Sequence, residues 1–153
     1  MIASEWPLDD DRGVEVKIVT SWDEEAIRSL YQAGGWWKNE WQVKRLNELI
    51  RASYAFVIAY HRDSAKTVGM VRAISDGMAD AYIQDLVVLP EFRGYGVGKR
   101  LVKELIRHCS THGITWIALI AEPGTSGFYL QLGFIQMEQF IPMMYLEERK
   151  NDQ

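Results

Sequence analysis

Near the amino end Val14, Val16 and Ile18 alternate with Glu15 and Lys17, the two-residue period of a half-buried strand. Ser21-Trp22-Asp23-Glu24 follows with capping-box spacing, predicting a helix whose first turn is closed by the Ser21 hydroxyl and the Glu24 carboxylate. Ile27, Leu30 and Tyr31 give that helix an apolar stripe, and Gly34-Gly35 ends it. A second helix is predicted from about Asn39, with Val43, Leu46, Leu49 and Ile50 facing inward. The loop between them, Gly34-Gly35-Trp36-Trp37, is rich in large aromatics. Residues 54–60, 67–74 and 79–88 are strand-like and are separated by Arg62-Asp63-Ser64 and Ser75-Asp76-Gly77, turn chemistry of hairpin length, so they predict an antiparallel meander. From Gly96 to about His112 the period becomes helical, with Val97, Leu101, Leu105 and Cys109 on one stripe, until Gly113 stops it. Residues 114–121 read as a buried strand, 125–132 as a short helix, and 134–146 as a closing pair of strands broken near Pro142. The predicted order is βααβββαβαββ, an α/β (α+β) chain with a mixed, largely antiparallel sheet and about four helices. The tail 147–153 is expected to be disordered.

The 153 residues suit one domain spanning 1–153 with an ordered core of about 14–146, and 48% hydrophobic with 25% charged residues is an ordinary globular balance. Net charge is −4, from 17 Lys+Arg against 21 Asp+Glu, and no basic run occurs; nucleic acid is therefore not an expected partner. Cys109 is the single cysteine, so no intrachain disulfide framework exists. The apolar runs at 54–60 and 116–121 are strand-sized, far short of the ~18 residues of a membrane span. Residues 1–13 are acidic and lack an apolar core segment, unlike a signal peptide. A cytoplasmic protein with no membrane partner is the expectation.

The richest stretch runs from Asp85 to Lys99: a buried strand, a loop with Gly94, Gly96 and Gly98, then an amphipathic helix. Glycines there let backbone N–H groups converge and a ligand approach closely, and the helix dipole adds positive potential at the same point. Arg93, Lys99 and Arg100 bring cations nearby. A phosphate or pyrophosphate is the natural occupant; the plain alternative is a tight strand–helix connection. A Walker A loop is excluded because Gly98 is followed by Lys99 and Arg100, not by Lys and Ser/Thr. A Rossmann fingerprint is excluded because the third glycine position falls on Lys99 or Leu101, and too little chain follows Glu122 for the remaining βα units.

Arg93-x-x-Gly96-x-Gly98 does resemble the Arg/Gln-x-x-Gly-x-Gly/Ala signature with which GNAT-type N-acyltransferases grip the coenzyme A pyrophosphate. Phe128-Tyr129-Leu130-Gln131-Leu132-Gly133-Phe134 is similar to that family's late Phe-Tyr-x-x-x-Gly-Phe block. The resemblance implies a sheet whose central strands splay to admit a pantetheine arm, with acetyl-CoA as cosubstrate and direct transfer to an amine. Residue by residue, it implies that the backbone of Leu86, Val87 and Val88 pairs with the pantetheine. It assigns the pyrophosphate to Arg93, Gly94, Tyr95, Gly96, Val97, Gly98 and Lys99. Tyr129 stands where many members keep a tyrosine that protonates the leaving thiolate; its alternative role is that of a core aromatic. Seven positions earlier, where many relatives have Asn, this chain has Glu122.

Asp85 interrupts the apolar run 83–88 and is a candidate general base, acting through water, or else a structural hydrogen-bonding group. Strict alternation groups it with Ile83 and Val87 rather than with Gln84; a β-bulge would reverse that parity. His108 and His112 share a helix face, but they lie in its last turn with no carboxylate or second cysteine, so no metal is expected.

On the acceptor side, Trp36, Trp37 and Trp41 are candidates to wall a pocket, or else to pack into the core. Gly34-Gly35-Trp36, the stretch from Gly69 to Gly77 and Tyr82-Ile83-Gln84-Asp85 resemble the branch that includes the plant-type serotonin N-acetyltransferases. A small-molecule amine is the acceptor this implies. A protein or peptide acetyltransferase and a non-catalytic CoA-binding sensor are the alternatives, and self-association as a homodimer stays open.

Overall fold

The alternation at Val14–Ile18 becomes edge strand β1 (Val14–Ile18) in the computed structural model, which describes residues 12–147. Those residues fall into two compact units, 12–119 and 120–147. In the first, β1 is followed by β2 (Ala55–His61), β3 (Lys66–Ile74), β4 (Asp80–Val88) and β5 (Trp116–Ala118), lying side by side in chain order. The first four are antiparallel neighbours and β5 joins β4 in parallel, so the meander read from the turn residues is present. Residues 55–59 of β2 are all buried, because helices cover both faces of the sheet there.

On one face α1 (Glu24–Ala33) and α2 (Leu46–Ala52) enclose a core of Ile27, Leu30, Tyr31, Leu46 and Ile50 against Phe56, Ile58, Met70 and Val87. The opposite face carries α3 (Val97–Thr111), whose Leu101, Leu105 and Cys109 are fully buried. Gly69 lies close under α3: a Cβ there would lie 2.9 Å from Leu101 Cδ1 and 3.0 Å from the Val87 carbonyl.

The capping box does not form. Asp23 is the N-cap of α1 and makes no side-chain cap bond, which puts Glu24 in the first turn rather than at its third position. Asn47 takes over from α2. Its Oδ1 accepts the Trp22 N–H at 2.9 Å, and its Nδ2 donates to Glu24 Oε1 at 3.1 Å. The second helix also starts later than Asn39, through a single 3-10 turn at Val43–Arg45. Residues 36–42 stay non-helical, with Trp36 and Trp41 packed edge-on against Tyr31.

The strand expected over 114–121 shrinks to β5, three residues running from exposed to buried, because it pairs only with the first residues of β4. In the second unit the short helix is present as α4 (Ser126–Gln131). The closing strands over 134–146 are not formed. Gln139 takes a left-handed φ of 66° that breaks an extended run, and Pro142 has no N–H to offer a ladder. The run from Phe140 to Leu146 is apolar on consecutive residues and exposed, with no alternation to choose a buried face. No described helix is long and apolar enough to cross a membrane. The disordered-tail expectation for 148–153 and the acidic lead before Arg12 lie outside the described residues.

Candidate active site

Strand β4 holds two neighbours unequally. On the β5 side, pairing covers Asp80, Ala81 and Tyr82 and then stops, so among the described residues the edge from Ile83 to Val88 has no strand partner. On the β3 side, Met70 faces Val87 and Arg72 faces Gln84, leaving Val71 opposite both Asp85 and Leu86. This two-against-one register is a β-bulge, and Asp85 in it takes a left-handed φ of 61°. The bulge breaks the strict alternation: Asp85 keeps the face of Val87, toward α1, and also shares it with Gln84 and Arg72.

Arg72 Nε donates to Asp85 Oδ2 at 2.6 Å, and its Nη2 donates to Gln84 Oε1 at 3.1 Å. The Tyr31 hydroxyl donates to the same Oδ2 at 2.8 Å. Both partners of the ion pair are largely shielded, with side chains 17% and 20% exposed. Burial, and then the negative charge of Asp85, hold the Tyr31 phenol well above the ordinary tyrosine range, so it stays a donor. Arg72 and Gln84 lie in stretches that carry the family resemblance and Tyr31 in an apolar stripe, but sequence reasoning gives none of the three a role in the site.

The end of β4 leads through a 3-10 turn (Pro90–Phe92) into the glycine loop. Leu89 N–H is held by the Val68 carbonyl at 2.8 Å. Arg93 folds back, its Nε donating to the Val88 carbonyl at 2.9 Å, which fastens the loop to the strand end. Gly94 and Gly96 take φ of 82° and 79°, a region costly for other residues, whereas Gly98 is already helical. Gly96 is the N-cap of α3, and the first helical bond runs from Arg100 N–H to the Gly96 carbonyl at 3.0 Å. The N–H groups of Val97 and Gly98 therefore leave the helix end without intrahelical acceptors, the arrangement that suits an oxyanion.

Two cations are placed differently from expectation. Arg100 does not serve the loop: its Nη2 donates to the Val14 carbonyl of β1 at 2.8 Å. Arg12, distant in sequence, lies with Cζ 4.2 Å from the centroid of the exposed Tyr95 ring and brings its charge to the loop instead.

In the second unit, Tyr129 lies on α4 with its ring 5.0 Å from Phe128 and 5.6 Å from Phe134. The Tyr129 carbonyl accepts from Phe134 N–H, Gly133 N–H bonds the Leu130 carbonyl, and Gly133 is left-handed at φ 95°. That is a Schellman stop, and it explains the spacing of the block: Tyr begins the last turn, Gly permits the left-handed residue, and Phe covers the Tyr ring. Burial, reinforced by the charge of Glu122, raises the phenol above its ordinary range. His108 and His112 stack at 4.2 Å, and among the described residues no three metal-ligating side chains gather.

The sequence profile of the acetyltransferase (GNAT) domain matches residues 21–142 of this chain. The chain belongs to the GNAT acetyltransferase family. It is 34% identical over 112 residues to an uncharacterized N-acetyltransferase, ycf52, of Pyropia yezoensis, covering 72% of this chain and 63% of that protein. It is 38% identical over 71 residues to the chloroplastic serotonin N-acetyltransferase 2 of Oryza sativa subsp. japonica, covering 46% of this chain and 36% of the relative. This GNAT chain thus spans less than two thirds of the length of these curated relatives. Among solved structures, a GNAT-family acetyltransferase of Streptococcus pneumoniae TIGR4 superposes with a TM-score of 0.72 at 27% identity, over 88% of this chain and 98% of the other. The α/β fold with its mixed sheet is therefore that of the family.

Proposed function

We propose that the protein is an acetyl-CoA-dependent N-acetyltransferase that moves an acetyl group directly onto the primary amine of a small molecule. The observation that carries this reading is the half-paired strand β4: six residues of open edge run straight into a glycine loop that caps a helix N-terminus. An extended amide-bearing arm completes such an edge as a pseudo-strand, with Leu86, Val87 and Val88 as its partners. Its pyrophosphate end then meets Arg93 through Lys99, where backbone N–H groups and the α3 dipole favour negative charge.

In the transfer, the amine nitrogen bonds to the thioester carbonyl carbon while charge develops on the carbonyl oxygen, and an N–H from the open β4 edge stabilises that charge. The carbon–sulfur bond then breaks and the departing sulfur takes a proton; the resemblance of the Phe-Tyr-x-x-x-Gly-Phe block gives the donor's role to Tyr129. Its raised phenol keeps that proton available at neutral pH. The amine's proton leaves through water to Asp85, whose Oδ2 is already engaged by Tyr31 and Arg72, so Oδ1 is the oxygen that receives it.

The aromatic loop supports a small, apolar amine as acceptor. Trp36 and Trp37 are half-buried and Trp41 is exposed, grouped around Tyr31, which reaches Asp85. The relative named for serotonin acetylation supports the same class. The test is a panel of amines and Lys-containing peptides with acetyl-CoA and free-thiol detection. Faster turnover of small amines is expected; peptides acetylated far faster than any small amine would overturn the acceptor assignment.

A further inference from the structure

Tyr31, Arg72 and Gln84 take no part in bond making, yet all three converge on the bulge of the strand proposed to receive acetyl-CoA. A non-glycine residue at φ 61° inside a strand is strained and persists only where its surroundings hold it. Backbone pairing does not do so here. The bulge interrupts the β3 ladder, and the opposite edge of β4 has no strand partner from Ile83 onward among the described residues. Side chains from two other elements supply the restraint. Arg72 of β3 spans the first residue of the bulge and the one before it with one planar guanidinium, Nε on Asp85 and Nη2 on Gln84. Tyr31, only 2% exposed, ties the same carboxylate to α1.

We infer that Arg72 and Tyr31 are positioning residues for acetyl transfer: by clamping Asp85 they hold the β4 bulge open and aim the unpaired edge of Leu86–Val88 at the thioester carbonyl. The inference rests on the acetyltransferase reading above and adds to it a pair of residues that never touch the reacting atoms. The open edge is useful only at one orientation, since a hydrogen-bond donor misplaced by an ångström stabilises the developing oxyanion poorly. A relaxed bulge would let β4 pair regularly with β3 and rotate that edge away.

The test uses acetyl-CoA with tryptamine as the probe amine. Arg72→Met is expected to lower kcat by roughly 10²-fold, the typical effect of a small misplacement at a reacting centre. Acetyl-CoA affinity measured by calorimetry should fall far less than kcat, because the pyrophosphate loop is untouched even where the pantetheine loses pairing with Leu86–Val88. Arg72→Lys should not restore the rate, since a point charge cannot span Asp85 and Gln84 together. Tyr31→Phe keeps the ring contacts to Trp36 and Trp41 and should show a smaller kcat loss of the same kind; it carries the test if Arg72→Met does not fold. The loss should persist across the pH range. A shifted acidic limb with full activity at its plateau would mean that Arg72 only tunes Asp85 as a base, and would overturn the clamp. So would wild-type kcat in both variants, or acetyl-CoA affinity falling by as large a factor as kcat. If the wild type acetylates neither tryptamine nor any other amine, the functional reading fails by itself. The clamp is then read by amide hydrogen exchange: Arg72→Met should speed exchange at Leu86–Val88 relative to β2, and unchanged exchange there overturns it.

Discussion

Oδ2 of Asp85 accepts the hydroxyl of Tyr31 at 2.8 Å across 54 residues of chain, joining the helix that precedes the aromatic loop to the bulge of β4. Through this contact the proposed acceptor side and the proposed donor side share one half-buried carboxylate.

Gly96→Glu should abolish acetyl-CoA binding. The new side chain places a negative charge at the α3 N-terminus and forces a non-glycine residue to φ 79°. The strain by itself costs about 1–2 kcal/mol, which a folded domain survives. Calorimetric titration should detect no binding while circular dichroism remains native; undiminished affinity in a folded variant would remove the loop from the donor site.

Tyr129→Phe should lower kcat by ~10²–10⁴, the usual contribution of a general acid, with little change in stability or in acetyl-CoA affinity. An acid must be protonated to act, so the rate falls as pH rises through its pKa, and a raised pKa moves that fall to higher pH. Because Glu122 contributes to the rise after burial, Glu122→Gln should bring the alkaline fall to lower pH. A pH–kcat profile of the two proteins checks the sign; identical alkaline limbs would mean that Tyr129 does not set this limb.

Gly34→Ala should behave as an indirect Trp36 mutation. Alanine is the better helix former, yet its Cβ would sit 2.5 Å from Trp36 Cε3 and 2.6 Å from Cζ3, so the indole must move. Gly34→Ala, Trp36→Ala and Trp37→Ala are each expected to raise the amine KM more than the acetyl-CoA KM. Equal changes in both constants would place these tryptophans in the core rather than against the acceptor.

Gly69→Ala tests the packing of α3 on the sheet. The added methyl meets Leu101 Cδ1 at 2.9 Å and the Val87 carbonyl at 3.0 Å, and the backbone oxygen cannot yield. Overpacking of this kind costs about 1–3 kcal/mol. Chemical denaturation should show a lower midpoint with an unchanged slope.

Much of this protein is legible as a string because its signals are local. Three helix stops share one grammar: Tyr31-Gly35-Trp36, Cys109-Gly113-Ile114 and Tyr129-Gly133-Phe134 each place a left-handed glycine before a residue whose N–H bonds back to the first of the three. The hairpin turns, the apolar stripes and the glycine loop at the head of α3 are likewise written within a few neighbouring residues. Tertiary structure decided whatever depends on partners far along the chain. Asn47 replaced Ser21 at the start of α1, and Arg12 replaced Arg100 beside the loop. Asp85 could be read from sequence as an isolated carboxylate with two parities open to it. The register of β3 against β4 put it on one face with both Val87 and Gln84, and Arg72 and Tyr31 then closed on it, because a bulge is a property of two strands and a shielded ion pair a property of the space between elements.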